Sequence, residues 1–174
     1  MNTKGRVIIL TGASLTGVGI AAVEMSERIP PEKAMYLSTK IIKDGVRSAI
    51  TYLESSQTSV WSDKEFFNII KEPVNPKEYK YFVLDNIPEI VRNVRWEYRT
   101  DSTTGTAIKV IELVKDLAVY VTDEGADIVI ITSEDIEFAS SENEREVLEI
   151  VNHNLAKMCD EHYLYVSGGI LKII

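Results

Sequence analysis

The sequence predicts an α/β fold, a doubly wound three-layer sandwich around a mostly parallel sheet. Five short apolar runs rich in β-branched or aromatic residues read as strands, and helical apolar patterns separate them. The runs are nearly continuous in hydrophobicity instead of alternating, as strands covered on both faces are. They are expected at Val7–Leu10, Ala34–Thr39, Tyr81–Asn86, Asp127–Thr132 and Tyr163–Ser167.

Each helical pattern has its own apolar stripe. Ile20, Val23 and Met25 mark the first, which Pro30-Pro31 ends, and Val46, Ile50 and Leu53 the second. Ile108, Ile111, Val114, Leu117 and Val121 form a third, and Val147, Ile150, Val151, Leu155 and Met158 share one face of the last. Strands alternating with helices imply βαβ units. Trp96–Gly105, ending in Asp101-Ser-Thr-Thr-Gly105, reads as a mobile loop, and Tyr163–Ile174 as a hairpin-like tail that adds an edge strand or pair. No linker or repeat divides the chain, so 1–174 is expected to be one domain.

Composition excludes several classes of function. The net charge is −8, and a broad acidic surface repels a nucleic-acid backbone, although a nucleotide needs only a local positive pocket. Cys159 is the single cysteine, so no intramolecular disulfide forms and no oxidising compartment is implied; beside an apolar stripe it reads as a small core residue. Met1–Arg6 is short and polar and leads into four apolar residues, which is neither a secretion signal nor a membrane span. A cytoplasmic protein with no membrane partner is the default expectation.

The segment from Val7 to Gly19 runs from strand through a glycine-rich turn into helix, a geometry that aims backbone N–H groups at an anion. As a phosphate loop of the form G-x-x-x-x-G-K-[ST], Gly12, Ala13, Ser14, Leu15, Thr16 and Gly17 have the right spacing, but Val18 replaces the lysine and Gly19 the Mg²⁺-binding hydroxyl. As a dinucleotide loop, the turn needs one residue fewer and a late Tyr-x-x-x-Lys pair. The only such spacing is Tyr36 to Lys40, on the second strand. A plain tight turn for strand–helix packing is the third reading.

Other segments resemble, in order, one family. Val151-Asn-His-Asn-Leu-Ala-Lys-Met-Cys-Asp-Glu161, Leu164-Tyr-Val-Ser-Gly168 and Lys172 follow a V-N-Q-x-L-A-x-x-A-D-E helix and a V-V-S-G strand end. Thr11-Gly12, Trp61, Lys71-Glu-Pro73, Leu84-Asp85-Asn86, Asn93, Thr132-Ser-Glu134 and Glu142-Asn143 fall in the same order upstream. The chain resembles the adenosylcobinamide kinase/adenosylcobinamide-phosphate guanylyltransferase family over nearly its whole length. The resemblance implies a phosphate-loop-NTPase-like fold, GTP or ATP with Mg²⁺ as cofactors, a corrinoid partner and a homotrimer with sites between subunits.

The chain departs from that pattern where the chemistry is done. Phosphoryl transfer is mostly charge stabilisation and positioning, and one lost donor typically costs on the order of 10²–10³ in rate. Lys40 is the substitute cation at hand. The family's covalent histidine would fall near Tyr52 or Leu53, and Met1–Asn152 contains no histidine, so guanylyl transfer is expected to be absent. His153 and His162 read as surface or capping residues. Asp135-Ile-Glu-Phe-Ala139 replaces family glycines beside the nucleotide, which puts base recognition in doubt.

Two carboxylates at strand ends keep the geometry of a site, because open α/β sheets bind ligands there. Asp85 reads either as a catalytic, Mg²⁺-binding carboxylate or as a turn cap, and Glu134 ends the next strand similarly. Arg92, Arg95 and Arg99 interleave with Trp96 and Tyr98, as a phosphate clamp or as a solvated helix with an aromatic anchor to a neighbouring subunit.

Overall fold

The structure, a computed structural model, describes residues 4–12, 15–26, 29–38, 59–62, 76–98, 102–133 and 141–174. Its strands are β1 (Val7–Gly12), β2 (Ala34–Ser38), β3 (Ser59–Ser62), β4 (Tyr81–Asp85), β5 (Asp127–Thr132), β6 (Glu161–Val166) and β7 (Gly169–Lys172). Its helices are α1 (Leu15–Glu24), α2 (Ile87–Tyr98), α3 (Thr103–Asp123) and α4 (Glu142–Met158). Among the described residues the strands form one sheet in the order β3-β2-β4-β5-β1-β6-β7, parallel throughout except for the last pair.

All five predicted strands are present, Asp127–Thr132 with the bounds expected and the other four differing by one or two residues at an end. β3 was not predicted as a strand, because four residues with two apolar side chains at a sheet edge carry little pattern. The tail is the expected hairpin: β6 lies parallel to β1, and β7 folds back on β6. Ser167 and Gly168 turn the chain there, both with positive φ. The second helical pattern, Val46 to Leu53, lies outside the described residues.

The loop expected at Trp96–Gly105 is cut back at both ends, since α2 runs to Tyr98 and α3 starts at Thr103; 99–101 lie outside the described residues. The polar run Asp101-Ser-Thr-Thr-Gly105 signals a helix start. Ser102 has extended backbone and its side chain accepts from the Gly105 N–H, satisfying one of the donors that the first helical turn leaves open. Asn86 does the same for α2 through the Glu89 N–H, and Ser141 for α4 through the Glu144 N–H. Pro88 fits in the first turn of α2, where its missing N–H costs nothing.

Side chains alternate across the sheet, and the two faces meet different helices. Val7 and Ile9 of β1, Phe82 and Leu84 of β4, and Ile128 and Ile130 of β5 pack with α2, α3 and α4. Ile8 and Leu10, Tyr81 and Val83, and Val129 and Ile131 pack with α1 and with Tyr36 of β2. Among the described residues, no helix is long and apolar enough to cross a membrane.

Candidate functional site

β1 ends at Gly12 and α1 begins at Leu15, so the turn between them is short, and Gly17, Val18 and Gly19 lie inside the helix. The loop that was expected to wrap the helix start over Gly12–Gly17 is therefore largely taken up by helix. Ala13 and Ser14 lie outside the described residues, and Leu15 and Thr16 open α1.

The three described glycines of the motif make room for side chains of the protein's own core. A Cβ on Gly12 would lie 2.7 Å from Val18 Cγ2 and 3.1 Å from Tyr165 Cβ. On Gly17 it would lie 2.5 Å from the Tyr165 hydroxyl, and on Gly19 2.4 Å from the Tyr36 hydroxyl. All three distances under 3.0 Å would force something to move. Tyr165 thus runs along the turn from Gly12 to Gly17, while Tyr36 meets the next turn of α1. Val18, the residue in the lysine position, is 1% exposed and belongs to the core between α1 and the sheet.

Asp85 is at the carboxyl end of β4, as expected, and is 2% exposed. Its partner in register on β2 is Ser38, and both lie on the α1 face with Tyr36. The Tyr36 hydroxyl donates to Asp85 Oδ2 at 2.6 Å. Burial first, then the charge and hydrogen bond of Asp85, raise the Tyr36 hydroxyl well above the ordinary tyrosine range. It is therefore a proton donor and not a base. β5 separates β4 from β1, so Asp85 stands two strands, roughly 10 Å, from the strand that carries the glycine turn. The Asp85–Asn86 peptide is cis.

A second polar cluster lies on the opposite face at the same sheet edge. Thr11 Oγ1 is 2.9 Å from His162 Nε2, and the neighbouring Thr132 hydroxyl bonds Asn152 Oδ1. Asn152 Nδ2 donates to the Ser133 carbonyl, tying α4 to the end of β5. His162, read from sequence as a surface or capping residue, thus contacts the strand that leads into the turn, because β6 is the neighbour of β1. His153 is exposed on α4.

The remaining candidates divide into structural and undescribed residues. Arg92 bonds Glu89 and the buried Glu144, fastening α2 to α4. Trp96 is 86% exposed. Lys40, Glu134 and Arg99 lie outside the described residues. Cys159 ends α4 half-buried, its thiol pushed up by burial. Among the described residues, no three His, Cys, Asp or Glu side chains converge as a metal cluster.

Sequence reasoning missed Tyr36 and Tyr165 as residues of this site. A signal was present. A tyrosine inside a buried strand must find a partner for its hydroxyl, which marks Tyr36, although not the glycine its ring meets.

The sheet order, with one strand between the turn strand and the Asp85 strand, can be compared with solved structures. A KaiC-like protein from the archaeon Pyrococcus horikoshii superposes with a TM-score of 0.55 at 16% identity, covering 92% of this chain and 71% of that one. An ATPase of a bacterial type III secretion system superposes at 0.61 and 12% identity, covering 94% of this chain and 52% of the other. The fold is that of the phosphate-loop NTPases. The chain spans about half the length of the secretion ATPase and under three quarters of the KaiC-like protein. No protein family matches the chain, and no curated protein is similar to it in sequence.

Proposed function

We propose that this chain is a catalytically silent phosphate-loop protein, which binds a nucleotide at the carboxyl edge of its sheet and acts through that binding. The observation that carries this reading is Val18. Its side chain is 1% exposed in the α1 core, where a phosphate-loop enzyme needs a lysine on the β/γ-phosphate oxygens. Anion binding itself needs no lysine, since backbone N–H groups and the helix dipole supply it. The fold shared with a secretion ATPase and a KaiC-like protein supports the placement of the ligand at this edge.

A second reading follows the sequence resemblance: a cobinamide kinase relative with weak residual activity, Mg²⁺ at Asp85, Lys40 or Glu134 assisting, and a trimeric assembly. It is favoured by Thr11-Gly12, Asp85 and the V-N-x-x-L-A segment of α4. Guanylyl transfer has no place in either reading. The one histidine near the turn, His162, is on the sheet face turned away from α1.

A thermal unfolding series with ATP, GTP, NADH and cobinamide separates the readings. A ligand at a hundred times its Kd raises stability by about 2.7 kcal/mol. Shifts with ATP or GTP and no phosphorylated product support the silent protein. Phosphorylation of cobinamide by the wild type would overturn it in favour of the second reading, and light scattering would then test for the trimer.

A further inference from the structure

We infer that the Tyr36 hydroxyl takes the place that a divalent cation holds in this fold, so that phosphate binding by this chain is metal-independent. The inference rests on the nucleotide-binding reading above and specifies its chemistry. In a phosphate-loop site the cation is held between a Ser or Thr hydroxyl at the start of the first helix and a strand-end carboxylate. Both positions are described in this chain. The carboxylate is Asp85, buried and bonded at 2.6 Å by Tyr36 Oη. The other position is Gly19, and a Cβ there would meet the same hydroxyl at 2.4 Å. One oxygen thus spans the gap between the two groups that a cation would bridge.

The described residues at this position do not fit Mg²⁺. The ion demands six oxygens at about 2.0–2.1 Å in near-ideal octahedral geometry and usually keeps several waters. Here the gap holds a phenol whose ring is packed in the core with Leu10, Val18 and Val83, and no hydroxyl projects from position 19. A Ser or Thr at 19 would force the Tyr36 hydroxyl to move. The absence of a hydroxyl at position 19 and the placement of Tyr36 are therefore sterically linked. Tyr36 stays protonated, held so by burial and by Asp85, and supplies Asp85 with a hydrogen bond where a cation would supply charge.

Two measurements on the whole protein test this. Calorimetric titration of ATP and GTP is run in excess Mg²⁺ and again in EDTA, and Mn²⁺ alone is titrated into wild type and Asp85→Asn with free Mn²⁺ read by electron paramagnetic resonance. The expected nucleotide affinities agree within about threefold in the two buffers, and the Mn²⁺ curves of the two proteins coincide. An affinity that falls by about tenfold or more in EDTA, equivalent to about 1.4 kcal/mol, would overturn the inference. So would a one-to-one Mn²⁺ site in the wild type that Asp85→Asn removes. Because the calorimetry needs only the wild type, a variant that fails to fold does not protect the idea. If neither nucleotide binds in either buffer, the nucleotide reading falls, and the Mn²⁺ titration alone decides whether the metal position is closed.

Discussion

On the face of the sheet covered by α2, α3 and α4, the interior is aliphatic and phenylalanine, with Phe82, Leu84, Ile87, Ile128 and Val114 fully buried. On the face that meets α1, tyrosines join the aliphatic core among the described residues. Tyr81 donates to the Ala22 carbonyl at 2.7 Å, Tyr36 reaches past Gly19 to Asp85, and Tyr165 runs under Gly12 and Gly17. The first face is held mainly by apolar area, which is non-directional, with hydrogen bonds only at its carboxyl edge and between α2 and α4. The second is held by a few hydroxyls whose bonds depend on direction and on the absence of a Cβ opposite them. The face that carries the candidate site is thus the one where the loss of a single oxygen, or the gain of a single carbon, has a specific effect.

The largest effect is expected on the aliphatic face. Phe82→Ala removes a ring that is 0% exposed and should cost about 3–5 kcal/mol, the usual range for a buried aromatic. At about 2–4 °C per kcal/mol for a chain of this size, calorimetry should show the melting point fall by roughly 6–20 °C. A loss under about 1 kcal/mol would mean that this face is not packed as described.

The second effect tests the directional character of the α1 face. Gly19→Ala should cost about 1–3 kcal/mol from the clash with Tyr36, even though alanine in a helix interior normally gains about 1 kcal/mol over glycine. In a Tyr36→Phe background the opposing oxygen is gone, and the same substitution should become neutral or stabilising. Chemical denaturation of the four proteins measures the coupling. Strict additivity would break the claim that Gly19 exists to admit Tyr36.

The smallest and most diffuse effect is the dependence on pH. Burial raises the hydroxyls of Tyr36 and Tyr81 above their ordinary value, so their contribution is fully present below about pH 10 and is lost as pH rises beyond it. At the opposite end, the Tyr163 hydroxyl, then Arg6, lower the Glu161 carboxyl. Its contribution is present above about pH 4.3 and is lost as pH falls through the lowered value. Denaturation midpoints should therefore decline on both sides, and the alkaline decline should shrink in Tyr36→Phe.

Several elements were readable because local chemistry specifies them. A strand such as Asp127–Thr132 is an unbroken β-branched run, and α4 shows its buried stripe of Val147, Val151 and Leu155 every four residues. The misreading at Trp96–Gly105 came from assigning Ser102, Thr103 and Thr104 to a loop, when the same residues cap a helix whose apolar stripe begins at Ala107. Ser, Thr and Asp favour both outcomes, and only the pattern downstream separates them.

The sequence by itself determined the alternation of strand and helix, the glycine turn after the first strand, the carboxylate at the end of the Tyr81–Asp85 strand, and a valine and a glycine at positions 18 and 19. Each of these is a statement about neighbours along the chain. Tertiary structure decided what the glycines are for. Gly17 and Tyr165 are far apart in sequence, as are Gly19 and Tyr36, and nothing in the local pattern says which ring meets which helical turn. Strand order brings β6 beside β1, which places His162 next to Thr11 and Tyr165 beneath the turn. A glycine that lets a phosphate approach and a glycine that lets a tyrosine approach are the same residue in the sequence, since both are selected only for the carbon they lack.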